Sequence, residues 1–182
     1  QTQVRFDIRL PFSVESDGQL KTVEIARYNL PATFAYHSVP KLDQGAFLKA
    51  SLTSWEDLNL LPGEMNLFFE GTYVGKSFLE TRNTGDTLNL SLGRDEKIIV
   101  DRIRLKDFTR KQLLGNKVTE SRSWEIRLRN NKSEAVRIRI QDQVPVSSNK
   151  EIEISVIEKS EAGFNSQTGI LTWEINLAPG ES

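Results

Sequence analysis

Four arginines, Arg127, Arg129, Arg137 and Arg139, make the densest cluster of charge in the chain. Guanidinium groups set side by side grip carboxylates or phosphates through paired donors. On one shared face they would bind an acidic polysaccharide or another anionic partner. Two arrangements are open. If the two stretches pair as a hairpin, all four groups share an outer face. If the connection between them crosses from sheet to sheet, as in immunoglobulin-like folds, the cluster is split. Each half then joins a salt-bridged solvent face, for which Glu151 and Glu153 have matching outward parity.

Other candidate chemistry is thin. His37 is the single histidine, so it is the one centre a Ser–His–Asp relay could use. Between Tyr36 and Ser38 on a strand, it reads as a packing or hydrogen-bonding residue. With one His and no Cys, the three or four ligands of a zinc site are lacking. No Asp-x-Asp-x-Asp run offers calcium its oxygens. Gly71, Gly75, Lys76 and Ser77 approach a phosphate-binding loop, but one residue is missing between the glycines, and Phe78-Leu79 after the Ser reads as extended rather than helical. Carboxylates could act in pairs. Glu56-Asp57, Asp95-Glu96 and Asp142 are the candidates, and none lies in a recognisable signature. Asp142, just before Val144-Pro145, reads as a local turn residue. No catalytic residue, cofactor or metal site is assigned, and the chain reads as non-enzymatic. For glycan binding, the aromatics near expected loops are Trp55, Tyr73 and Phe164.

The elements that would position these groups are strands. In Ser123 to Ile140, Trp124, Ile126 and Leu128 oppose Glu125, Arg127 and Arg129, and Val136, Ile138 and Ile140 oppose Arg137 and Arg139. Period two with β-branched residues marks half-buried strands, and Asn130-Asn131 suits the tight connection between them. The same alternation predicts strands at Val4–Leu10, Thr22–Tyr28, Ala32–Ser38 and Ala46–Leu52. It continues at Asn66–Glu70, Tyr73–Leu79, Leu88–Leu92, Ile98–Leu105, Glu151–Glu158 and Leu171–Leu177. Gly71-Thr72 reads as a hairpin turn. Helix is confined to Lys106–Asn116 or the neighbourhood of Leu42–Phe47. Trp124 and Trp173 are expected in one core with Ile126, Ile138, Ile154 and Ile175. The fold class is all-β with β-sandwich architecture. An N-terminal β region, residues 1–115, is followed by an immunoglobulin-like sandwich, residues 116–182.

Composition agrees. Of 182 residues, 37% are hydrophobic, with 9 Phe and 3 Trp to fill a core. Lys and Arg number 24 against 25 Asp and Glu, which supplies no basic excess for nucleic acid or an anionic membrane. No apolar run approaches the roughly 20 residues of a membrane helix, so no direct membrane insertion is expected. The absence of Cys excludes disulfides and thiolate nucleophiles.

Several segments together carry a family resemblance: Asn29 to Asp43, Ala46 to Ala50, Leu60 to Gly63, Gly71 to Ser77, Leu92 to Asp95, Val144-Pro145 and Gly169 to Trp173. On these residues the chain resembles the C-terminal domain-of-unknown-function family 4139, over nearly its whole length and in order. That domain occurs in mucoidy-inhibitor-A-like exported bacterial proteins, behind an N-terminal β domain and a coiled coil. The resemblance implies a non-enzymatic structural or interaction module of an exported, envelope-associated bacterial protein, periplasmic or at the cell envelope. Its partner would be a protein or polysaccharide of the envelope. A carbohydrate-binding module for cell-surface or acidic polysaccharide is the alternative. The family carries no established catalytic residues to transfer. Its pattern looks as if it continues with a further strand past Gly180. A sheet edge left open there, beside Leu171–Leu177 or Val136–Ile140, would favour self-association.

Overall fold

A computed structural model describes residues 5, 8, 11–13, 15–81, 87–106, 110–114 and 117–182. Eleven strands follow in order: β1 (Ala32–Val39), β2 (Asp43–Thr53), β3 (Gly63–Phe69), β4 (Thr72–Leu79), β5 (Thr87–Arg104), β6 (Arg110–Leu114), β7 (Lys117–Ser121), β8 (Trp124–Asn130), β9 (Val136–Gln143), β10 (Gly163–Asn165) and β11 (Ile170–Leu177). The fold is all-β, as expected. A seven-stranded sheet runs β10-β11-β9-β1-β2-β5-β8, and β3-β4 and β6-β7 form two small hairpins. The pairing is antiparallel except between β1 and β9, which run parallel.

The large sheet turns a corner inside β5. Phe47 pairs with Arg94 and Gly45 with Ile99, so two steps along β2 correspond to five along β5. A bulge of this kind bends the longer strand, and Gly93 beside it supplies a φ of 91°. The two halves of β5 thus serve different neighbours: Thr87–Arg94 lies along β2, and Ile98–Arg104 lies along β8. Ile98 and Val100 share one core with Val136, Ile138, Ile140 and Leu177, although β2 and β1 stand between β5 and β9 in the sheet. The sheet therefore folds over itself, which gives the expected sandwich packing from one continuous sheet. Ile126, Leu128, Trp173 and Ile175 pack against that core from their own strands.

Several expectations need correction. Strands before and after the expected boundary share one sheet. β1 pairs with β9 and β5 with β8, so the two stretches are woven into one sheet. Thr22–Tyr28 forms no strand, and among the described residues no strand pairs with it. Glu151–Glu158 likewise forms no strand, and Ile152 and Ile154 are exposed rather than inward. Among the described residues the one helical element is a single 3-10 turn, Glu56–Leu58. Arg110–Leu114, within the stretch expected to be helical or linker, is a strand of a hairpin, and all of Leu42–Phe47 after Leu42 lies within β2. The expected Val4–Leu10 strand lies mostly outside the described residues.

Trp124 is 36% exposed, not buried. It sits at the open end of the outermost strand, β8, and Arg102 lies over its ring at 4.7 Å. Val136–Ile140 is no open edge, because β1 lies along it at Ile138–Ile140. Among the described residues no strand pairs with the outer side of β11 at Trp173–Leu177, because β10 pairs only as far as Thr172.

Candidate functional site

The arginine cluster is split. β8 and β9 are not a hairpin; β5, β2 and β1 lie between them in the sheet. Their connection crosses from one layer to the other, so Arg127 and Arg129 stand far from Arg137 and Arg139. Each half is also engaged. Arg127 pairs with Glu125 at 2.8 Å. Arg137 and Arg139 both reach Glu174 on β11, Arg137 at 3.5 Å. The acid partner is Glu174 rather than Glu151 or Glu153, because β11 is the strand paired beside β9. The four arginines therefore do not share a hairpin face.

A different polar cluster forms where the sheet turns its corner. Tyr36 on β1 donates its hydroxyl to Asp95 Oδ2 at 2.6 Å. Lys132, in the loop after β8, donates to the Tyr36 hydroxyl at 2.8 Å and to Asp95 Oδ2 at 3.1 Å. Asp95 Oδ1 accepts from the Lys97 amide at 2.9 Å, which holds the carboxylate at the bulge. Burial pushes the Asp95 carboxyl up, but the hydrogen bonds from Tyr36, the Lys97 amide and Lys132 outweigh it and hold the pKa below the ordinary value. Burial and the bond to Asp95 raise the Tyr36 phenol. Burial opposes the charge on Lys132, yet its bonds to Tyr36, Asp95 and Glu134 raise its pKa. Each shift favours the state in which the three groups bind one another: ionised carboxylate, neutral phenol and charged ammonium. The cluster ties β1, the corner and the crossing loop together. Sequence reading placed Asp95 among the candidate acids but missed Tyr36 and Lys132, which are 96 residues apart.

The remaining candidates have structural partners. His37 Nε2 and Gln141 Oε1 lie 3.0 Å apart across the β1–β9 pair. Gly71 to Ser77 lies in the β3–β4 hairpin, and the residues after Ser77 continue β4 to Leu79 as a strand. Glu70 and Gly71, both at positive φ, make its two-residue turn. Glu56 and Asp57 are exposed in the 3-10 turn. Asp142 faces inward and pairs with Arg102 at 2.8 Å, rather than making only a local turn. Among the described residues no group of three or more His, Asp and Glu could hold a metal ion.

The aromatics divide differently. Trp55 is 6% exposed and is no platform for a ligand. Tyr73 is exposed and packs on Phe68 at 5.4 Å between ring centres. Between the Phe68–Tyr73 and Leu67–Gly75 pairs, β4 carries an extra residue. This bulge re-aims Tyr73 onto the outer face that also carries Lys76, Glu64 and Phe78. Phe68 and Phe78, at 64% and 62% exposure, make that face strongly aromatic. Phe164 stands at a shallow open cleft of about 400 Å³ with Gln141, Asn165, Thr168, Ile170 and Thr172. No charged residue lines it.

The family model described as Domain of unknown function (DUF4139) matches residues 1–182. Protein F37C4.5 of Caenorhabditis elegans is 25% identical over 193 residues, covering 97% of this chain and 34% of that protein. The 26S proteasome non-ATPase regulatory subunit 12 of Dictyostelium discoideum is 33% identical over 89 residues, covering 49% of this chain and 19% of that protein. The chain thus spans about a third of the length of the first relative and about a fifth of the second. No solved structure matches.

Proposed function

This chain belongs to the family of the domain of unknown function DUF4139, and on that premise we propose that it is a non-enzymatic interaction module of a larger exported, envelope-associated protein. The observation that carries the interaction reading is the outer face of the β3–β4 hairpin. Phe68, Tyr73 and Phe78 stand together there, each at least half exposed. Large aromatics grouped on one exposed face are costly to hydrate and favour contact with a partner. The polar clusters support a non-catalytic role, since Tyr36, Asp95 and Lys132 satisfy one another. The exported setting rests on the resemblance to mucoidy-inhibitor-A-like proteins.

The test is crosslinking through Lys76 in the full-length host protein, in cells of the source organism, with fractionation of the same material. The expected result is an envelope-fraction protein whose Lys76 crosslinks disappear in Phe68→Ser/Tyr73→Ser/Phe78→Ser, with circular dichroism unchanged. Crosslinks that persist in the triple variant overturn the hairpin assignment. A protein confined to the cytosol overturns the exported setting.

A second reading is supported by the cleft beside Phe164. Its amide and hydroxyl groups around an aromatic ring suit a neutral sugar rather than an acidic one. A glycan array read against Phe164→Ala tests it, and equal binding by the variant removes Phe164 from the site.

A further inference from the structure

The stretch Glu151–Lys159 has the pattern of a strand, and among the described residues no strand pairs with it. Ile152, Ile154 and Val156 all line one shallow cleft of about 240 Å³, together with Val144, Val146 and Phe164. Side chains two apart that point the same way mark an extended backbone. Both ends are fixed. The Glu151 amide donates to Asn149 Oδ1 at 2.9 Å, and the Ile152 amide donates to the Asn149 carbonyl at 3.1 Å. At the other end Ser160 and Glu161 have positive φ, and the Ala162 amide donates to the Lys159 carbonyl at 2.9 Å. That is the two-residue turn used by hairpins. Between these anchors, among the described residues, no backbone hydrogen bond joins residues 153–158 to another segment. Every residue from 151 to 159 except Val156 is exposed.

We propose that Glu151–Glu158 is a receiving edge for an extended peptide strand that alternates apolar and basic residues. Added beside this stretch, such a strand satisfies the open N–H and C=O groups by β-augmentation. Its apolar side chains continue the cleft wall of Ile152, Ile154 and Val156, which removes the exposed isoleucines from water. Its basic side chains fall on the opposite side, beside Glu151 and Glu153, whose carboxylates have no ion-pair partner among the described residues. Charge also decides against the same stretch of a second copy, because like charges set opposite each other destabilise a strand pair. The inference rests on the reading of the chain as an interaction module, but it uses a surface separate from the β3–β4 hairpin.

The probe is a fluorescein-labelled hexapeptide alternating valine and arginine, followed by anisotropy on the whole chain. A peptide alternating valine and glutamate is the control. The expected result is saturable binding of the arginine peptide, with slowed amide exchange at residues 153–158. Glu151→Lys/Glu153→Lys should weaken that binding at least about tenfold and gain the glutamate peptide instead, as expected for complementary charge. The gained binding shows that the variant edge is intact. Absence of saturable binding overturns the proposal. So does equal binding of the arginine peptide by the charge-reversed variant, or slowed exchange confined to other residues. Loss of peptide binding in Phe68→Ser/Tyr73→Ser/Phe78→Ser would move the site to the hairpin and also overturn it.

Discussion

Arg102 Nε lies 2.8 Å from Asp142 Oδ2 although β2 and β1 stand between their strands in the sheet. Three strand spacings in a flat sheet would hold them about 14 Å apart. The pair therefore fastens the two layers across the fold. Its side chains are only 16% and 9% exposed. Asp142→Ala leaves a buried guanidinium unpaired and should cost about 3–5 kcal/mol. Replacing both groups by apolar residues, Arg102→Met/Asp142→Leu, should recover most of that loss. Urea unfolding of the three proteins checks it; a loss under about 1 kcal/mol for Asp142→Ala would show that the layers do not depend on the pair.

The Asp95 carboxyl should give stability an acid limb. Its folded pKa lies below the ordinary value, because its hydrogen bonds outweigh the effect of burial. Its contribution is therefore present above the unfolded value near pH 4 and is lost as pH falls through the folded value. Tyr36 and Lys132 are both raised, so theirs is present below about pH 10 and is lost as pH rises through their folded values. Asp95→Asn should flatten the acid limb. Denaturation across pH tests this, and an acid limb in the variant as steep as the wild type's would count against it.

Asn130 is fully buried at the end of β8. Its side-chain amide donates to the carbonyls of Glu134 at 2.8 Å, Ala178 at 3.0 Å and Leu177 at 3.3 Å. Asn130→Asp sets a carboxylate against those oxygens and should cost about 3 kcal/mol or more at pH 7. The loss should shrink in acid, where the carboxyl is neutral and can donate. A pH-independent loss would point to a packing effect instead.

The two strand tryptophans should differ. Trp173 packs against the core and donates its indole N–H to the Ser160 carbonyl at 3.1 Å. Trp173→Ala should cost about 3–5 kcal/mol. Trp124 is exposed beneath Arg102, so Trp124→Ala should cost about 1 kcal/mol. Equal costs in thermal or urea unfolding would contradict this placement.

The open edge at Trp173–Leu177 should support self-association by strand addition. Sedimentation velocity from micromolar to millimolar concentration reads it directly. A strictly monomeric chain over that range would exclude the edge as a route to association.

Much of the local structure was legible in the residues. Alternation located β1, β2, both strands of the β3–β4 hairpin, β8, β9 and β11, and it placed Ile138 and Ile140 inward, where they are 0% and 1% exposed. The sites were less legible. Trp55 sits near a loop in sequence but under cover in the fold, and no local pattern distinguishes the two. Asn130 looks like a turn residue in sequence, and its place as a buried post appears only once the carbonyls of residues 177 and 178 arrive beside it.

By itself the sequence determined which face of each strand looks inward, because side chains alternate about an extended backbone whatever lies next to it. Only the tertiary structure decided which strands are neighbours. Arg127 and Arg137 have the same outward parity and are ten residues apart, yet three strands separate them in the sheet. Glu174 is 35 residues from Arg139 and is hydrogen-bonded to it. Pairing is set by hydrogen bonds and core contacts between distant segments, and the entropy of closing a loop grows too slowly with its length to favour the nearest partner in sequence.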